Sequence, residues 1–86
     1  MKDIKEYEQS IKKGVWRHFK GNLYEVLAIA RHSEDTRPMV VYRALYGEGD
    51  IWVRDAEMWE EYVERDGAKH KRFEFVCDAE QKNNYI

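Results

Sequence analysis

The 86-residue sequence predicts a mainly β fold: a small SH3-like, partly open five-stranded barrel with a short N-terminal helix and a short helix before the last strand. Three observations lead there. Turn signals at Lys20-Gly21-Asn22, Gly47-Glu48-Gly49-Asp50 and Asp66-Gly67, with a polar loop that carries the single proline, divide the chain into short apolar runs. Those runs either alternate apolar with polar residues or are rich in β-branched and aromatic ones. Three Trp, six Tyr and three Phe give a short chain the bulk for one thin core, in place of the disulfides that a lone cysteine cannot form.

Residues 1–13 read as a helix. Ile4, Tyr7 and Ile11 recur at helical spacing, Asp3 is placed to cap, Lys12 and Lys13 suit the C-terminal dipole end, and Gly14 marks the stop. The β domain is expected over 14–76. Val15 to Phe19 alternates and turns at Lys20-Gly21-Asn22 into LYEVLAIAR, residues 23–31, a central strand covered on both faces. Helix is the competing reading of that run; Val26, Ile29 and its short length favour strand. A polar loop over 32–38 leads to the third strand, Met39 to Tyr46, and a glycine turn to the fourth, Ile51 to Arg54. Asp55 caps a predicted helix, DAEMWEEYV, and after Asp66-Gly67 the alternation of Lys71 to Val76 gives the last strand. Residues 77–86 lack periodicity and read as a flexible tail.

Composition excludes several classes. The start MKDIKEYEQS lacks the apolar centre of a signal peptide and no apolar run approaches membrane-span length, so a cytoplasmic protein without membrane partners is expected. Cys77, the only cysteine, fits a reducing compartment and a packing role. Net charge is −2, yet residues 11–24 hold Lys12, Lys13, Arg17 and Lys20 without an acid, whereas residues 48–66 hold eight acids against Arg54 and Arg65. That division either steers a partner or simply serves solubility.

The blocks RHFKGNLYEVL (residues 17–27), ARHSE (30–34), VYRALYG (41–47) and WVR (52–54), in this order, resemble a family of small bacterial proteins known as domain of unknown function number sixteen fifty-three. The likeness spans about residues 15 to 75 and implies a compact β-rich domain. It carries no reaction, cofactor or catalytic residue. Where the family is expected to have Pro after Val-Arg, this chain has Asp55.

The chemistry on offer is a set of basic residues embedded in aromatic strand sequence. Trp16, Arg17, His18, Tyr42, Arg43, Trp52 and Arg54 are the candidate ligand-binding residues, because arginine forks and aromatic faces together suit an anion or a nucleobase. The bland account pairs the arginines internally, Arg43 or Arg17 with Glu25 foremost. No catalytic residue, cofactor or metal is assigned: His18 and His32 lack metal-ligand spacing, pairs such as His18 with Glu25 have no fixed geometry, and GEGD is not a phosphate loop. The functional expectation is a binding module for a peptide, a nucleotide or single-stranded RNA. Its rivals are a structural or interaction subunit, as a homodimer or beside a larger protein, and a hydrolase of small nucleotide-like substrates.

Overall fold

In the computed structural model, which describes residues 2–84, the chain opens with helix α1 (Ile4–Ser10). The Asp3 carboxylate accepts the Glu6 N–H at 3.0 Å, an N-cap as the sequence suggested. Tyr7 and Ile11 are buried beneath the helix, while Glu8 faces solvent. The helix ends at Ile11, earlier than expected, and Gly14 opens strand β1 (Gly14–His18) rather than capping α1. A backbone φ of 142° suits glycine there.

Strand β2 (Leu23–Arg31) matches the predicted run residue for residue. It is followed by β3 (Pro38–Ala44), β4 (Ile51–Asp55), helix α2 (Ala56–Trp59), the hairpin strands β5 (Tyr62–Arg65) and β6 (Ala68–Lys71), and β7 (Phe73–Asp78). Five strands form one antiparallel sheet in the order β4-β3-β2-β1-β7; β5 and β6 form a second. The last strand therefore returns beside the first. Register shifts between Val26 and Ala28 in β2, and between Val15 and Trp16 where β1 meets β7, bend the sheet. β4 and β7 do not pair with each other, so the barrel is not closed and the arrangement is compatible with a partly open one.

The core is aromatic, which is how a chain of this length manages without staples. Trp59, 1% exposed, lies flat on Phe73 at a centroid distance of 3.6 Å. Tyr42 and Trp16 meet Trp59 edge-on at 5.0 and 5.8 Å. Val26, Val40 and Ala56 fill the spaces between rings.

Two expectations need correction. The helix predicted from Asp55 to Val63 is a single turn, because Tyr62 and Val63 belong to β5. Asp66 and Gly67 both take left-handed φ, 56° and 78°, the two-residue hairpin turn that requires strands on either side. Residues beyond 76 are also more ordered in form than a featureless tail. Cys77 and Asp78 complete β7, paired with Val15 and Gly14, and Ala79–Asn84 winds into a 3-10 helix; Tyr85 and Ile86 lie outside the described residues.

The tail also changes the account of Glu25. This buried carboxylate stands opposite Arg43 in the β2–β3 register, but its ion-pair partner is Lys82 Nζ at 3.1 Å. A lysine from the 3-10 helix thus supplies the charge that Arg43 or Arg17 was expected to supply.

Candidate functional site

Strand alternation divides the seven candidate residues between the two faces of the sheet. Arg17 and Arg43 point to the outer face and are exposed. Trp16, His18, Tyr42, Trp52 and Arg54 share the inner face, since Trp52 stands opposite Tyr42, Arg54 opposite Val40, and His18 opposite Phe73. Trp16 and Tyr42 are core residues, each 7% exposed, and cannot offer a ring face to a ligand. Trp52, by contrast, is 53% exposed.

His18 sits where β1 runs out of the core. Its ring packs on Phe19 at 4.5 Å and edge-on to Phe73 at 5.0 Å, and its Nδ1 accepts the Lys20 N–H at 3.2 Å. Burial, and then the charges of Arg54, Arg72 and Lys20, push its pKa below the usual imidazole value. The accepting Nδ1 fits that neutral ring. Glu25 is on the opposite face of the sheet and is not its partner. Beside His18, the guanidinium of Arg54 lies 5.7 Å from the Phe73 ring centre, and the buried Nε atoms of Arg54 and Arg72 have no hydrogen-bond partner among the described residues.

Two cavities deserve comparison. The larger, about 500 Å³, lies between α1 and the loop before β3 and contains Lys2, Arg31 and Arg37. Two of these cations are committed within the chain: Lys2 to Glu60 at 2.7 Å, and Arg37 to Asp35 and, at 2.8 Å, to Asp55. The second, about 280 Å³, is a groove at the β7 side of the sheet, lined by Ser10, Lys12, Trp16, Lys71, Glu74 and Phe75. Here the cations are free: among the described residues neither Lys12 nor Lys71 is in an ion pair.

Local folding explains the groove. Trp16 is held by its Nε1–H donating to the Lys12 carbonyl at 2.8 Å, which fixes the turn between α1 and β1. Phe75, opposite Trp16 in the β1–β7 register, packs edge-on against it at 5.4 Å and remains 38% exposed. Lys12 Nζ lies 5.6 Å from the Phe75 ring centre. The result is a partly exposed aromatic ring with Lys12 held over it and Lys71 and Glu74 in the same groove. Lys12 is visible in the acid-free stretch of sequence; Lys71 at the end of β6 and Phe75 in β7, about sixty residues further along, join it only because β7 returns beside β1. Among the described residues no three His, Cys, Asp or Glu side chains gather as a metal site, and no helix is long and apolar enough to cross a membrane.

This geometry defines a class: a small, mainly β domain with an open sheet, an aromatic core and a shallow cationic groove at one edge. A family profile described as "Protein of unknown function (DUF1653)" matches residues 14–75, and the chain belongs to that family. The fold is similar to the crystal structure of a DUF1653 protein from Bordetella bronchiseptica, with 33% identity and a TM-score of 0.75, over 81% of this chain and 92% of that one. No protein of curated function matches the chain.

Proposed function

We propose that this protein is a small cytoplasmic binding module, built on a partly open SH3-like barrel, that takes single-stranded RNA in the groove at the β7 edge. The strand order, with the last strand beside the first and a bulge bending the long β2, supports the barrel reading. One observation carries the ligand: the exposed Phe75 ring with Lys12 over it and Lys71 in the same groove, two cations against the one carboxylate of Glu74 and neither in an ion pair among the described residues. A base takes the place of the Lys12 ammonium over the ring, and Lys12 and Lys71 then meet the phosphates on either side. The groove holds about one nucleotide, so recognition is of single strands rather than a duplex. Lys13, exposed after α1, extends the cationic border. The buried, free Cys77 supports a reducing compartment.

The test is fluorescence anisotropy of labelled single-stranded RNA at low and physiological salt. Two to four phosphate contacts give a slope of log affinity on log salt of roughly −1.4 to −2.8. Phe75→Ala loses a stacked base, about 1–3 kcal/mol. Lys12→Glu with Lys71→Glu abolishes binding at physiological salt. Absence of binding at low salt, or binding indifferent to these changes, removes the groove as an RNA site. An interaction subunit then becomes the leading reading, for which the exposed β4 edge is the specific support.

A further inference from the structure

At the sheet edge opposite the groove, β4 leaves Ile51, Trp52 and Val53 at 54%, 53% and 63% exposed. An uncovered edge strand of this kind is a template for another strand, and natural edges are normally blunted by charge, proline or a covering element. We propose that β4 pairs antiparallel with β4 of a second copy, centred on Trp52, so that two five-stranded sheets become one continuous sheet in a homodimer.

The main-chain pattern permits this. The Ala44 N–H donates to the Asp50 carbonyl at 2.9 Å, so Asp50, and by the period of two also Trp52 and Arg54, aim their backbone groups at β3. Ile51 and Val53 therefore aim theirs outward. In a pairing centred on Trp52, Ile51 of one copy faces Val53 of the other and each pair exchanges both backbone hydrogen bonds. Their side chains stack on the outer face as an apolar row.

The inner face sets the register. Asp50, Trp52 and Arg54 share that face, and the two-fold places Trp52 against Trp52 and Asp50 of one copy against Arg54 of the other. These fall at non-hydrogen-bonded positions, where facing strands come closest. Among the described residues neither Asp50 nor Arg54 has an ion-pair partner. Two neighbouring registers keep the backbone pattern. The one centred on Ile51 sets Asp50 against Trp52 and runs Val53 and Arg54 into the turn at Gly49 and Glu48, outside the strand. The one centred on Val53 sets Arg54 against Trp52 and Asp55 against Ile51. It leaves Asp50 and Arg54 without opposite charge, and Asp55 already holds Arg37. The short stretch Asp50-Ile51-Trp52-Val53-Arg54 is thus self-complementary in charge, apolar surface and aromatic surface only when it pairs about Trp52.

The inference does not depend on RNA binding, because the groove lies at the other edge of the sheet. Sedimentation equilibrium from micromolar to millimolar protein tests it, with circular dichroism to verify each fold. Wild type is expected to pass from one chain to two as concentration rises. Asp50→Arg and Arg54→Asp each introduce two like-charge pairs per dimer and weaken association about tenfold. An equimolar mixture of the two variants restores it, since each copy then meets its opposite charge. Val53→Pro removes an N–H that serves no bond within the chain and abolishes the dimer while the monomer stays folded. A wild type that is monomeric throughout overturns the proposal. So does a dimer indifferent to Val53→Pro, or a mixture of charge variants that associates no better than either alone.

Discussion

Gly14→Ala gives the sharpest test of how the sheet is held together, because two independent penalties coincide at one atom. A Cβ placed on Gly14 stands 2.4 Å from the Cys77 carbonyl oxygen, with the Asp78 Cα and Ala79 N at 3.1 and 3.2 Å. All three are backbone atoms of β7 and of the chain just after it, so no side-chain rotation relieves the contact. The φ of 142° is itself costly for any residue with a Cβ, about 1–3 kcal/mol, and overpacking adds about 1–3 more. Against this stands the usual gain from replacing glycine by alanine, about 0.4–1 kcal/mol through the unfolded state. The net expectation is a loss of about 2–5 kcal/mol from a domain whose size implies a total of about 4–13. With an m-value of about 1 kcal/mol/M, the urea midpoint falls by about 2 M or more. Gly21→Ala is the control: its φ is 108°, but a Cβ there meets nothing within 4 Å, so only the backbone cost applies. If Gly14→Ala is no less stable than Gly21→Ala, the β1–β7 junction is not as close as described and the reasoning fails.

Three further outcomes follow from particular contacts. Lys82→Ala strips Glu25 of its ion-pair partner and should cost about 1–2 kcal/mol by chemical denaturation, discounted because Lys82 is partly exposed; Lys82→Arg should retain most of it. The His18 imidazole, held below its ordinary pKa by burial and by Arg54, Arg72 and Lys20, should titrate below 6.5 in an NMR pH series. Because the folded state then binds fewer protons than the unfolded one, stability is full above about 6.5 and declines as pH falls through the depressed value; in His18→Gln that component of the pH dependence should vanish. Burial and the 2.8 Å hydroxyl contact with Tyr46 raise the Tyr24 phenol to about 12, so Tyr46→Phe should lower its midpoint in a 295 nm absorbance titration.

Much of the fold was legible because its signals are local. The turn at Lys20-Gly21-Asn22, the nine-residue run of β2 and the Asp3 cap each depend on neighbours a few residues apart, and each stands where the sequence placed it. The hairpin of β5 and β6 was hidden because Met58, Trp59 and Tyr62 share a helical period, while the decisive constraint was the pair of left-handed residues at Asp66-Gly67. The sequence shows that turn, but the strand it suggests, Lys71 to Val76, is β7, so both strands of the hairpin go unread. The order in the tail was illegible for another reason. Residues 79–84 have no apolar period, and what fixes them is packing against β1 and β7 together with a lysine reaching a carboxylate fifty-seven positions earlier. Site residues suffered the same limit. A list of arginines and aromatics in strand-like sequence says nothing of which face each occupies, and the groove at Phe75 exists only because β7 returns to β1.

The demand for a core and the demand for a binding surface compete for the same residues in so small a protein. Trp16, Tyr42, Trp59 and Phe73 are all drawn into one packed cluster, and burying them supplies the stability that disulfides supply elsewhere. Exposed rings then lie where the core ends: Tyr46 after β3, Tyr62 on the β5–β6 hairpin and, at the two margins of the main sheet, Phe75 on β7 and Trp52 on β4. The surroundings of the last two differ in kind. Phe75 is bordered by two lysines outside any ion pair among the described residues and one carboxylate, Glu74, a net positive margin that suits an anionic chain, whereas Trp52 is bordered by Ile51, Val53 and one charge of each sign, which suits a copy of itself. An open sheet has two edges to manage, and the residues beside each exposed ring indicate a different solution at each one.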